Sequence, residues 1–215
     1  KRESGRPVVA QLMGAGTSGA YYVAMAADEV RAYPTTVTGS IGVIIAGLNL
    51  SGLMERFGVE NQTLVTGAFK DAGSPLRPMR EVEREQLMSV AQDLFTAFLD
   101  AVEAGRPNLS RERIEALADG RVYSGPQALE AGLVDALGEL PEAVEAAKAA
   151  AGVDGDARVV VYHRPGERPA GLFWAAAAAP PAAPVLARSA LTGAKSPFAG
   201  PRFLYLWSAG GGLSQ

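Results

Sequence analysis

Three short apolar runs, Val8 to Met13, Val37 to Val43 and Gln62 to Val65, alternate with segments of helical character. That alternation marks an α/β layer structure, in which strands form a sheet and helices cover it. At 215 residues and 48% hydrophobic content the chain can bury a substantial core, so one domain with an appendage is expected. A helix of small residues follows Ser18 and should stop near Asp28, because Tyr33-Pro34 and the β-branched run Thr35 to Thr38 favour extended chain. Leu50 to Phe57 reads as a short helix closed by Gly58. Glu81 to Glu103 is the clearest helix, since Leu87, Val90, Leu94, Phe98 and Val102 recur at steps of three and four and acids gather in its first turns. Ser110 should cap a helix through Leu117, with Gly120 past its end. Ser124 should cap another that stops at Gly132, and Pro141 to Ala151 forms a fourth with proline in its first turn. Beyond a weak boundary near Gly152 to Arg164, Arg158 to Tyr162 is strand-like, Pro165 to Pro201 is rich in Ala and Pro, and Phe203 to Trp207 can return as a last strand. The expected division is therefore a main domain over 1–152 and an extension over 153–215.

Composition narrows the chemistry. A net charge of -3 and a pI near 5.3 give no basic face for phosphates, and no nucleic-acid motif is present. Absence of cysteine excludes disulfides, thiolate catalysis and cysteine-ligated metals, and a single histidine excludes an imidazole-rich metal site within one chain. No metal and no cofactor is called for. Lys1 to Pro7 lacks the apolar core of a signal peptide. Pro169 to Ala187 is uncharged and long enough to span a bilayer, but Pro180, Pro181 and Pro184 interrupt it, which favours an arm over a membrane helix.

Ser18 lies between the apolar run Val8 to Met13 and the helical run Ala20 to Ala27. A serine on a sharp strand-to-helix turn projects its hydroxyl outward, beside helix N–H groups that can hold an oxyanion. Gly14 to Gly19 also spells G-x-G-x-x-G, yet no Asp or Glu occurs from Val30 to Met54 to hold a ribose, and no Gly-Lys-Ser/Thr follows for a P-loop. A nucleophilic serine needs a base. The only imidazole, His163, sits in a Pro/Arg-flanked stretch far down the chain, so a buried, deprotonated lysine is the better candidate. Lys70 stands 52 residues on (70 − 18 = 52), between Phe69 and a Gly/Ser/Pro loop, in a chain with four lysines against sixteen arginines. A solvated loop lysine is the ordinary alternative. Ser40, in Thr38-Gly39-Ser40-Ile41-Gly42, is either a turn residue or a hydroxyl that orients the lysine amine toward Ser18.

Taken together, Ser18-Gly19-Ala20-Tyr21-Tyr22-Val23-Ala24, Ala26-Ala27-Asp28, Tyr33 to Val43, Lys70-Asp71 with Ser74-Pro75, and Gly120 to Gly125 with Ala128 and Gly132 to Asp135 resemble the SppA-type signal peptide peptidases from about Pro7 to Gly138. The resemblance implies a ClpP/crotonase-like α/β fold of repeated β-β-α units and a serine endopeptidase that cleaves remnant signal peptides or other apolar peptides at the bacterial membrane, on its extracytoplasmic side. It implies Ser18 as nucleophile, Lys70 as general base, Ser40 as the lysine's hydrogen-bond partner and the Gly19 N–H as one oxyanion donor. It also implies a homo-oligomer, with the second oxyanion donor, the first β-β-α unit and a membrane anchor expected upstream of residue 1. Ala20 replaces the glycine common after Ser-Gly in that family, and Gly16-Thr17 replaces the usual small Ala pair. Two other readings share the fold: a crotonase-like acyl-CoA enzyme, which would not need Lys70, and a catalytically inactive assembly module.

Overall fold

The computed structural model describes residues 5–157, 159–160 and 202–204. In chain order these form β1 (Val9–Leu12), β2 (Ala15–Thr17), α1 (Gly19–Ala24), β3 (Glu29–Ala32), β4 (Val37–Gly39), β5 (Ile44–Ala46), α2 (Ser51–Arg56), α3 (Glu81–Gly105), α4 (Arg111–Leu117), β6 (Val122–Ser124), α5 (Gly125–Glu130), β7 (Ala136–Leu137), α6 (Leu140–Ala150) and β8 (Arg202–Leu204). Two compact units divide them: 5–42 with 98–160, and 43–97 with 202–204. The mixed α/β class expected from the alternation is the one observed.

In the first unit β1, β3 and β7 form a parallel sheet in that order, and β2, β4 and β6 form a second in which β2 and β4 run parallel and β6 antiparallel. Side chains of β3 alternate, so Val30 and Ala32 are fully buried while Glu29 and Arg31 pair on the other face at 2.5 Å. Tyr21, Ile41, Phe98, Val102, Ile114, Ala128 and Leu133 complete the core without exposure.

Several buried polar groups in this unit find partners, as burial demands. Thr36 Oγ1 donates to the Leu12 carbonyl (2.6 Å) and accepts from the Tyr33 N–H, while Thr38 Oγ1 donates to the Gly16 carbonyl (2.7 Å). Asp135 receives the Val30 N–H and Arg106 Nη1, both at 2.7 Å, and thereby joins β3 to the buried end of α3. Where α3 ends, Gly105 lies so close to Met25 that an added Cβ would sit 2.8 Å from its carbonyl oxygen, and the Tyr22 ring meets Phe98 edge-on with centroids 5.4 Å apart.

The second unit holds β5 paired antiparallel with β8, helix α2 and the first part of α3. The expected strand at Gln62–Val65 is absent: these residues carry no regular structure and are exposed, Leu64 at 96%. No strand among the described residues offers them a ladder, and the Thr63 N–H donates instead to Asn61 Oδ1 at 3.0 Å. The run Val37 to Val43 is not one strand either. Only its first three residues form a strand, β4, because Gly39 (φ 78°) and Ser40 (φ 51°) leave the extended region, and β5 begins past the run at Ile44. The helix expected to reach Asp28 ends at Ala24, in a turn through Met25 to Asp28.

Helix termini follow their caps. Ser110 Oγ accepts from the Arg113 N–H, and Ser124 with Gln127 forms a reciprocal capping box at α5. Gly58, Gly120 and Gly132 adopt positive φ past the ends of α2, α4 and α5. β8 starts at Arg202, and the remainder of the Phe203–Trp207 run, His163 and the whole Ala/Pro-rich stretch lie outside the described residues. No helix among the described residues is long and apolar enough to cross a membrane.

Candidate active site

Ser18 stands between β2 and α1, so the strand that feeds it is the three-residue β2 rather than the longer apolar run at β1. Its backbone sits at φ 51°, ψ −116°, the mirror image of the second residue of a type II turn, a place glycine usually takes. Holding a serine there costs about 1–3 kcal/mol, which the surrounding structure must impose. The imposing contacts are backbone hydrogen bonds. The Ser18 N–H donates to the Gly39 carbonyl at 2.8 Å, the Ser18 carbonyl accepts from the Tyr22 N–H at 2.8 Å, and the residue is 3% exposed. Its hydroxyl makes no capping bond to α1. The Gly19 N–H belongs to the first turn, where no helical carbonyl can reach it. Three residues on, fully buried Tyr21 fastens α1 by donating its hydroxyl to the Leu133 carbonyl at 2.7 Å, and burial pushes that phenol well above its usual range.

Ser40 is the other unusual position in backbone terms. Among the described residues, only Ser18 and Ser40 combine a positive φ with a side chain. Parallel pairing of β2 with β4 sets Thr17 opposite Gly39, so the two serines emerge one residue past the same final rung. Neighbouring strands lie about 4.8 Å apart, which makes Ser18 and Ser40 close neighbours at one sheet end. Ser40 is anchored from its other side, its N–H donating to the Arg121 carbonyl at 2.8 Å. Gly39 between these anchors has no room for a side chain, since a Cβ would meet the Tyr123 ring at 2.6 Å.

Lys70 belongs to the second unit, in the run of turns from Gly67 to Gly73. The expectation that it is buried does not hold within the single chain: Lys70 is exposed, as is every residue from 55 to 70. Among the described residues no sheet or helix covers this segment. Nor does the sequence disclose how the turn is held. Glu83, fully buried at the start of α3, accepts from Arg77 Nη1 (2.9 Å), Arg77 Nη2 (2.5 Å), the Arg80 N–H (3.0 Å) and the Arg80 guanidinium. Arg77 also reaches Asp71 Oδ2 (2.8 Å) and the Asp71 carbonyl (3.2 Å), and Arg80 reaches the Ala68 carbonyl. Bonds from Arg77 hold the Glu83 and Asp71 carboxyls below their usual ranges. A spacing of Arg77, Arg80 and Glu83 just before and inside a helical first turn is the only signal in the sequence, and it reads equally as dipole compensation. Among the described residues no cluster of acids and histidine could hold a metal ion.

The chain matches the model of peptidase family S49 over residues 1–154. It is 39% identical over 142 residues to a protein of Enterococcus faecium named as a candidate signal peptide peptidase SppA, covering 66% of this chain and 41% of that one. It is 36% identical over 149 residues to the chloroplastic serine protease SPPA of Arabidopsis thaliana, covering 69% of this chain and 22% of the relative. This chain thus spans about half or less of the curated relatives it matches. Among solved structures, a membrane-bound stomatin-specific protease, 1510-N, aligns with a TM-score of 0.37 and 12% identity over 65% of this chain and 54% of that one. The fold class is mixed α/β, and on the family match over 154 of its 215 residues the chain belongs to peptidase family S49.

Proposed function

We propose that this chain is the catalytic part of a serine endopeptidase working through a Ser-Lys dyad. The observation that carries the reading is the pair of serines forced into positive φ at one end of the β2–β4 ladder, since strain of this kind persists where a reacting group must be aimed. Lys70 Nζ takes the proton of Ser18 Oγ as that oxygen bonds to the scissile carbonyl carbon, and the carbonyl electron pair moves onto its oxygen. The Gly19 N–H holds that oxyanion. Collapse of the tetrahedral adduct breaks the C–N bond, Lys70 returns the proton to the departing amine, and water then releases the acyl group by the same proton path. Ser40 accepts or donates a hydrogen bond at the lysine amine and orients it. Because Lys70 is exposed in the single chain, the water exclusion its role requires comes, on this reading, from bound peptide or a neighbouring copy in a homo-oligomer.

The substrates are remnant signal peptides or other apolar peptides, at the bacterial cell membrane with the catalytic part on its extracytoplasmic side; the family and the names of the relatives support this choice. Mass spectrometry of products from an unfolded apolar polypeptide tests it, wild type beside Ser18→Ala, Lys70→Ala and Lys70→Arg. All three variants should lose cleavage, Lys70→Arg because a permanently protonated guanidinium cannot accept the serine proton. Substantial cleavage by Lys70→Arg would remove the dyad. Full turnover of a thioester by Lys70→Ala would favour the crotonase-like alternative.

A further inference from the structure

We propose that Glu83 is the positioning residue for Lys70, acting through Arg77 and Arg80 on the two carbonyls that flank the lysine turn. The proposal rests on Lys70 being the base of the dyad.

The Lys70 turn has no sheet or helix of its own. Its internal bonds, from the Lys70 N–H to Gly67 (3.0 Å), Ala72 N–H to Phe69 (3.1 Å) and Ser74 N–H to Asp71 (3.0 Å), set its local shape but not its place in the unit. Place is set from outside. Arg80 donates to the carbonyl of Ala68, two residues before the lysine, and Arg77 donates to the carbonyl and carboxylate of Asp71, one residue after it. Both guanidinium groups converge on one carboxylate, which accepts five bonds: Arg77 Nη1 and Nη2, and the N–H, Nε and Nη2 of Arg80. Five donors fill the roughly four lone-pair sites of a carboxylate and leave it no freedom to turn. Glu83 also lies in the first turn of a 25-residue helix, so the clamp is fixed to the stiffest element of its surroundings.

Arginine is required at both positions by the geometry. A planar fork donates toward Glu83 and toward the turn at once, which a single ammonium cannot do. The carboxylate is required too, since a glutamine there would point an N–H₂ donor at guanidinium donors. Glu83 is unexposed, and among the described residues every bond its carboxylate accepts comes from one of the two arginines.

The test compares Glu83→Gln, Arg77→Lys and Arg80→Ala with wild type and with Lys70→Ala, by steady-state peptide cleavage and by hydrogen exchange of peptides covering residues 66–75. Glu83→Gln and Arg77→Lys should lower kcat by about ten- to a hundredfold with KM within about twofold, the pattern of a displaced reacting group rather than lost substrate binding. Amides of the turn should exchange at least about tenfold faster while α6 keeps its protection. Arg80 is half-exposed, so Arg80→Ala remains folded and carries the test if Glu83→Gln does not fold; it should lower kcat by about threefold to tenfold with the same exchange signature. If Lys70→Ala is inactive while the folded clamp variants keep wild-type kcat, the positioning role is wrong and the dyad stands. If Lys70→Ala is fully active, the dyad fails and takes this proposal with it.

Discussion

Gly39→Ala tests whether the end of the β2–β4 ladder is held by backbone geometry. Two costs add at this position. Its φ of 78° lies in the left-handed region, where a side chain costs about 1–2 kcal/mol. The new Cβ would lie 2.6 Å from Tyr123 Cδ2 and 3.1 Å from the Arg121 carbonyl. The ring cannot simply swing aside, because its hydroxyl donates to the Leu117 carbonyl at 3.1 Å and because β6 is paired with β4 on either side of it. Overpacking of this kind costs about 1–3 kcal/mol. The unfolded chain loses freedom on Gly→Ala, which returns about 0.4–1 kcal/mol. The net loss is about 1–5 kcal/mol, centred near 3, and for a chain of this size corresponds to a fall in Tm of about 6–12 °C. Urea unfolding measures it, with the midpoint reduced and the slope unchanged. A double-mutant cycle separates the two parts: in a Tyr123→Ala background the ring is gone, and Gly39→Ala should cost only about 1 kcal/mol, a coupling of about 1–3 kcal/mol. Gly39→Ala within about 0.5 kcal/mol of wild type would mean that neither the φ nor the ring holds the ladder end, and an equal cost in both backgrounds would remove the ring's part.

Ser40→Ala keeps the backbone but removes the hydroxyl, so cleavage should fall about ten- to a hundredfold; full activity would make Ser40 a turn residue only. Tyr21→Phe leaves the Leu133 carbonyl without its buried donor and should destabilise by about 1–3 kcal/mol in urea, whereas an unchanged midpoint would mean the bond contributes nothing. Glu83 has a folded-state value below its unfolded one, so its ionised form adds stability above about pH 4.3, and that stability drains away as pH falls through the folded value. Urea midpoints between pH 6 and pH 3 should therefore fall less steeply in Glu83→Gln than in wild type; parallel curves would remove Glu83 as a source of acid sensitivity.

What the sequence made legible was mostly local. Ser110 and Ser124 announce their helices because a cap needs only its own next three residues, and α3 shows in the spacing of Leu87, Phe98 and Val102, which the core buries. Strands were less readable. Glu29 and Arg31 hide β3, whose buried Val30 and Ala32 are too few to show alternation, while the apolar Gln62 to Val65 run finds no neighbour to pair with. Pairing is a property of two distant segments, and one segment does not disclose it. The same distinction divides the site. Ser18 could be read from its strand-to-helix setting, but the exposure of Lys70 depends on what covers it, and the role of Glu83 depends on two arginines folding back to it from a turn.

The β2–β4 ladder is only three rungs long, yet it has a consequence for how this chain can change length. Thr17 faces Gly39, and each serine is the very next residue. Deleting or inserting one residue within 14–17 or within 37–39 would advance one serine past the other by a rung and turn its side chain to the opposite face. Residues 58–65 are exposed and without regular structure, so the same insertion there disturbs no register. Alleles or engineered forms that differ in length should therefore collect their gaps in the exposed loop, while the steps from β2 to Ser18 and from β4 to Ser40 keep a fixed length.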